Sequence, residues 1–373
     1  MLMYPVPKHV YESPVQGITG LWGGVGGTLL SGSGAPAYDW DHIKFSAPST
    51  VFSSAYPNAG PPLAEIKSGL SSPTGDDLSF KDDTNNMNYN SGVIVLRIPK
   101  TDDYKIKIRG ADACPAWVQN TSSTNGIPAI GAGAEVYGTF TFAADTILGI
   151  IMGLTPPGLD TSTSGSAGGG GSFVWTTDAI TGSNGFGSNT LWLAAGGGGG
   201  WGHGPPAAQG GQAPHNSVQM APGGGTGSGS GPYSPGPSGS QNAGGGGRGG
   251  GPPTQYGNGG GGAGWLGYGG DSTSGTEGGH WSSNGQLKGG SGGNQYGGWG
   301  GGGGATGSGV PGGGGGGYSG GDGGNGWSGS VWGGGAGGGS YTNPQASSPG
   351  GTTNQRLGPG QAGQNGYIQI EKV

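Results

Sequence analysis

The sequence predicts a mainly β protein, a β-sandwich carrying a long glycine-rich insertion. Three observations lead there. Runs such as Tyr104-Lys105-Ile106-Lys107-Ile108-Arg109 alternate apolar and polar residues with period two, as a strand with one buried face does. Glycine supplies 102 of 373 residues, gathered in tracts at 196–200, 301–304 and 312–317 with tryptophan or tyrosine close by. The segment 366–373, Gly-Tyr-Ile-Gln-Ile-Glu-Lys-Val, alternates again, and a lone strand needs partners to be stable.

Residues 1–38 are rich in glycine and proline, yet Trp22, Leu29 and Leu30 are too apolar for an ordinary free tail. The segment is either an arm packed on its own domain or a docking arm that orders against a larger assembly. Trp40, Ile43 and Phe45 start a strand, and Pro61-Pro62-Leu63-Ala64-Glu65-Ile66 suits a turn and one short helix. After an acidic loop with Asp76-Asp77 and Asp82-Asp83, an apolar strand runs from Val93 to Ile98 and ends before Pro99, which lacks a ladder donor. In the next strand Tyr104, Ile106 and Ile108 face a core while Lys105, Lys107 and Arg109 face solvent. Val136, Phe140 and Phe142 share one face of a further strand, and residues 146–154 form another. No stretch has the spacing and length of a substantial helix, so an all-β sandwich is the expected architecture.

A glycine backbone loses more entropy on folding than any other, and ordered tracts must regain that through main-chain hydrogen bonds. Collagen requires glycine at every third position, a rule these tracts break. A flexible linker gives no reason for Trp175, Trp192, Trp201, Trp265, Trp281, Trp299, Trp327 and Trp332 to recur among the glycines. A bundle of polyproline-II-like strands does: only glycine lets such backbones approach and pair, and aromatic rings seal the edges. The terminal strand at 366–373 is then expected to return to the sandwich, with Phe173-Val174-Trp175 and Leu191-Trp192-Leu193 feeding the insertion from that base.

Thirteen Lys and Arg stand against nineteen Asp and Glu, a net charge of -6, and charged residues make up only 9% of the chain. No basic stripe is present to neutralise phosphates, so nucleic acid is not an expected partner. Cys114 is the single cysteine, which excludes an intrachain disulfide or a cysteine zinc cluster. The start lacks a basic region followed by an apolar run, so no signal peptide is expected, and no segment is apolar over the length of a membrane helix.

The order Ile98-Pro99-Lys100-Thr101-Asp102-Asp103-Tyr104-Lys105-Ile106, Gly110-Ala111, and Gly131-Ala132-Gly133-Ala134-Glu135-Val136-Tyr137-Gly138-Thr139-Phe140-Thr141-Phe142 carries a resemblance. It continues through 168–174, 191–200, 312–321, 337–341 and Gly366-Tyr367-Ile368-Gln369-Ile370, with a fainter trace at 59–64. In this order, over residues 43–373, the chain resembles the glycine-rich domain of the anaplastic lymphoma kinase and leukocyte tyrosine kinase ectodomains and its bacterial and phage relatives. The resemblance implies a jelly-roll similar to tumour necrosis factor with inserted polyglycine II helices. The kinase ectodomains carry several cysteines where this chain has only Cys114, so the resemblance points to a virion or bacterial surface component rather than a receptor. In composition the chain also resembles the polyglycine II tail-fibre adhesins of tailed phages. The expected organisation is a docking arm at 1–38, a jelly-roll-like β-sandwich at 39–164 plus 365–373, and a polyglycine II bundle at 165–364.

Function is expected to be non-enzymatic. His9, His42, His203, His215 and His280 lack zinc spacing, and no metal or other cofactor is expected. Asp82-Asp83, in an Asn-rich loop, is either solvated or a calcium site. Two carboxylates brought together across a β domain can hydrolyse glycosides, but nothing identifies such a pair. The leading expectation is a phage tail-fibre or tip adhesin on the virion surface, made in the host cytoplasm; a bacterial cell-surface location is the alternative. Its candidate receptor-binding residues are Trp201, His203, Trp265, Tyr268, His280, Trp281 and Trp327, on connections between glycine runs, where aromatics suit protein interfaces and sugar stacking. For any single tryptophan, closing the side of the bundle is the leading expectation, so the recognition expectation concerns the set: at least one group stays exposed at the end of the bundle away from the β domain. The expected partners are a host glycan or outer-membrane protein, other virion proteins gripped through Trp22, Leu29 and Leu30, and a second copy in a homo-oligomer; membrane insertion is not expected. A virion structural or capsid decoration protein is the second reading.

Overall fold

Alternation places the strands as the sequence predicts, and the computed structural model describes them within residues 38–47, 60–90, 92–113, 130–156, 166–178, 190–202, 259–272, 278–281, 287–291, 295–305, 311–324, 334–352 and 363–373. Of two units, Met1–Pro36 lies outside the described residues, and with it Trp22, Leu29 and Leu30, while Ala37–Val373 holds every described element.

The order is β1 (His42–Ser46), α1 (Leu63–Gly69), β2 (Leu70–Ser71), β3 (Met87–Asn90), β4 (Val93–Arg97), β5 (Asp102–Arg109), β6 (Glu135–Phe142) and β7 (Ile147–Ile151), then β8 (Ser172–Thr176) and β9 (Leu191–Ala195). Two short strands, β10 (His280–Trp281) and β11 (Leu287–Lys288), precede β12 (Tyr341–Thr342), β13 (Ser347–Thr352) and β14 (Tyr367–Lys372). The protein is mainly β. One six-stranded sheet has the order β13-β6-β5-β14-β1-β2 and the other β12-β9-β8-β7-β4-β3, each antiparallel throughout.

Inward residues of both sheets meet in one core. Ile43, Tyr104, Ile106, Val136, Phe140 and Ile370 come from the first sheet, Ile94, Leu96, Leu148, Ile150, Val174 and Leu193 from the second. The return strand β14 lies between β5 and β1, pairing Ile370 with both Ile106 and Ile43. At β9 the register shifts so that Trp192 is an additional residue between Leu191 and Leu193. A bulge of this kind re-aims a side chain, and Trp192 stands edge-on to Phe140 and Phe142, each centroid 5.2 Å away.

The second sheet is buried on both faces, which is why β4 reads as the unbroken apolar run Val-Ile-Val-Leu. Its far face, with Val93, Val95, Ile151, Phe173 and Trp175, is covered by Ala263, Trp265 and Trp299 from the glycine-rich part. Trp299 lies against Gly60 and Gly92, both at positive φ, where a Cβ would overlap the indole.

The glycine tracts pair backbone to backbone with a period of three. Gly197 and Gly200 donate to Gly316 and Gly313; Gly335 and Gly338 donate to Gly200 and Gly197; Gly168 and Gly171 donate to Gly303 and Gly300. Residues 312–317 show what this demands. A Cβ on Gly312 or Gly315 would strike the backbone at Gly200 or Gly197, on Gly313 or Gly316 that at Gly303 or Gly300, and on Gly314 or Gly317 that at Gly321 or Gly339. Three faces meet three neighbours, leaving no room for a side chain.

The expected domain ranges interleave. Strands β8, β9, β12 and β13 fall within 165–364 yet complete the two sheets. Conversely, Ala111, Gly131 and Ala134, inside the expected sandwich range, donate to Gly170, Gly199 and Gly196. One expectation is corrected: Arg109 does not face solvent but is 8% exposed. It is ion-paired with Asp112, because β5 ends there against the glycine layer and a guanidinium in that position needs a buried partner.

Candidate functional site

The turn Trp265-Leu266-Gly267-Tyr268 is built outward from a fixed ring. Trp265 is 4% exposed, stacked on Phe173 with centroids 5.8 Å apart and tilted against Trp175 at 5.7 Å. Its amide donates to the Tyr318 carbonyl at 2.9 Å, and the Gly264 amide donates to the Gly267 carbonyl at 2.9 Å. Beyond the turn, Gly269 donates to Gly279, and Asp271 Oδ1 accepts from Gly278 at 2.9 Å. On this base Leu266 and Tyr268 are exposed, at 60% and 57%.

A second turn of similar make follows residues 312–317. There Tyr318 stacks on Tyr341 with centroids 4.7 Å apart, and burial pushes both phenols up. Ser319, which follows the ring as Leu266 follows Trp265, is 2% exposed. Burial and polarity are thus inverted between the two turns: the hidden position holds a hydroxyl, the open one a leucine. Neighbouring exposed apolar side chains mark contact sites more often than singly scattered ones do.

The seven sequence candidates separate. Tyr268 is exposed, whereas Trp265 is corrected from exposed anchor to core ring, because the apolar far face of the second sheet needs a cover. Trp201 is half-buried; its amide donates to the Ser166 hydroxyl at 2.6 Å and its carbonyl accepts from the Ser166 amide at 2.8 Å. His280 and Trp281 form β10, paired with Lys288 and Leu287 of β11. His203 and Trp327 lie outside the described residues. Leu266 was missed because aromatic content drew attention to its neighbours; its signal is an apolar residue within a glycine turn.

The acidic loop has local work. Asp82 pairs with Lys67 at 2.8 Å, while Asp83 accepts from the Asn85 amide at 2.9 Å and the Asn86 side chain at 2.8 Å. Among the described residues no group of three His, Cys, Asp or Glu stands close enough to hold a metal ion, and no helix is long and apolar enough to cross a membrane.

Among the described residues the deepest ion pair is Arg109 with Asp112. Asp112 Oδ1 also accepts from Gly133 at 2.9 Å and Oδ2 from the Gln364 amide at 2.7 Å. Burial raises this carboxyl above the usual range, against the opposing pull of Arg109 and of those two amides. The pair ties β5 to the segment leading into β14, a structural task. No protein-family model matches the chain, and no curated protein matches it.

Proposed function

We propose that this chain is a non-enzymatic virion surface protein, a tail-fibre or tip adhesin of a tailed phage that recognises the host surface. The observation that carries this reading is the Leu266–Tyr268 turn, two exposed apolar side chains on a base fixed by Trp265. Pre-ordered apolar groups lose little entropy on binding. In this reading the three-residue hydrogen-bond period belongs to polyglycine II, whose rise and symmetry match that period. The two sheets form a jelly-roll-like sandwich akin to the glycine-rich domain of the receptor-kinase ectodomains and its phage relatives. Host glycan or outer-membrane protein is the partner at the turn, and residues 1–38 join other virion proteins. The chain is made in the host cytoplasm and displayed on the particle; display on a bacterial cell is the alternative.

A second reading is a virion structural or decoration protein without receptor binding, favoured by the burial of Trp175, Trp265 and Trp299 as seals. Competition separates the two. Purified chain should block attachment of the particles that encode it, and a Leu266→Ser/Tyr268→Ser variant with unchanged melting should not. Failure of the parent chain to compete, with antibody labelling spread over the capsid, replaces the adhesin by the decoration protein.

A further inference from the structure

We infer that the outer face of the β13-β6-β5-β14-β1-β2 sheet binds an acidic polysaccharide of low charge density. The register places Lys44, Gln369, Lys107 and Tyr137 side by side across four strands. Tyr367 and Lys105 flank that row, and all six side chains are at least partly open to solvent.

The lysines are held in two ways. Lys107 is ion-paired with Glu135 at 2.8 Å, and the same carboxylate accepts from the Tyr367 hydroxyl. Lys44 instead lies over the Tyr367 ring, 4.8 Å from its centroid, and Lys105 over Tyr137 at 6.0 Å. Among the described residues neither has a carboxylate within ion-pair distance. An aromatic face fixes an ammonium without adding a counter-charge, so both charges stay available to an anion. In a chain of net charge -6, two such lysines share one face of one sheet.

Geometry and the nearby carboxylates select the ligand. From strand spacing and rise, the Lys44 and Lys105 backbones are about 12 Å apart, too far to share one phosphate or carboxylate. Between them, on β14, lies the Gln369 amide, and beyond Lys105, on β6, the Tyr137 phenol, neutral groups suited to hydroxyls. Glu371 stands opposite Lys105 in the ladder and Glu135 beside Lys107, so a densely charged polymer meets repulsion where a sparsely charged one presents a neutral sugar. This excludes nucleic acid and favours a glycan with acid groups on alternate sugars.

Affinity electrophoresis of the full chain tests this with three probes: hyaluronan, with one carboxylate per two sugars; neutral dextran; and heparin. Hyaluronan should retard the parent chain, dextran should not, and heparin should not exceed hyaluronan. Lys44→Gln/Lys105→Gln should bind hyaluronan about tenfold more weakly, whereas Lys44→Arg/Lys105→Arg and the off-face Lys100→Gln should retain it. Equal mobility with all three probes, a Gln variant retarded like the parent, or heparin far above hyaluronan overturns the inference. These residues are distinct from the Leu266–Tyr268 turn, so such a result leaves the adhesin reading to its own test.

Discussion

Asp112 and Gln364, 252 residues apart, hold each other twice: the Gln364 amide donates to Asp112 Oδ2 at 2.7 Å, and the Asp112 amide donates to the Gln364 carbonyl at 2.9 Å. With Arg109 on the other carboxylate oxygen, this contact fixes where the chain re-enters the sandwich before β14. Asp112→Ala strands a buried guanidinium and should cost about 3–5 kcal/mol in denaturant unfolding. Arg109→Met/Asp112→Leu, which removes both charges, should recover part of that loss. A double variant no more stable than Asp112→Ala shows that the hydrogen bonds, not the unpaired charge, dominate.

Gly92 is needed for two separable reasons. Its φ is +92° and the Trp299 indole fills the space a Cβ would take, whereas Gly75, at +82°, has nothing within 4 Å. Gly75→Ala should cost about 1–2 kcal/mol for the left-handed backbone alone. Gly92→Ala should cost about 1–3 kcal/mol more through overpacking. Equal melting temperatures for the two variants place Trp299 elsewhere in solution.

Gly315 has a different obstacle. Its Cβ would meet the Gly197 carbonyl, and a paired backbone cannot rotate aside as a side-chain tip can. Gly315→Ala should therefore destabilise by at least the ~1–3 kcal/mol of an overpacked core site, and slow amide exchange at Gly197 and Gly338 should be lost first. Unchanged protection at these amides refutes a close-packed glycine layer.

What the sequence revealed followed from local pattern. Ile368 and Ile370 alternate with Gln369 and Glu371, and a strand so patterned needs a sheet with an inward face to match; β5 supplies it in Ile106 and Ile108. The helix after Pro62 was legible because two prolines end the preceding chain and good helix formers follow. Arg109 misled because period two continues into a position where the strand ends at a buried layer, and alternation carries no information about what covers the other face. Trp265 misled similarly: a tryptophan among glycines can face solvent or the far side of a sheet, and only the apolar residues of Val93, Val95 and Phe173 decide between them. The glycine faces were visible as a need for close approach, while the partner of each tract depends on contacts distant in sequence.

Acid should separate carboxyls shifted in opposite directions. Burial raises Asp76, but hydrogen bonds from the His42 amide, the Thr74 and Ser72 hydroxyls and the Asp41 amide outweigh it, so its carboxyl lies below the usual range. Asp39 is lowered first by its hydrogen bond from Lys100, against a rise from burial, with the charges of Lys372 and Lys100 lowering it further. A carboxyl lowered in the folded state binds its proton more weakly there than in the unfolded chain. Its stabilisation is present above the ordinary value near 4 and is lost as pH falls through the lowered value. Asp112 runs the other way: its raised carboxyl contributes fully below the ordinary value and loses that contribution as pH rises through the raised one. The parent chain should therefore lose stability below about pH 4 through Asp39 and Asp76, partly offset by Asp112. An Asp39→Asn/Asp76→Asn variant should melt below the parent at pH 7, and the gap should close as pH falls towards about 2. Because both groups lie near the surface, the gap should also shrink in high salt. Melting curves at matched ionic strength across this range measure it directly; a gap that stays constant with pH shows that neither carboxylate is held as the hydrogen bonds around it require.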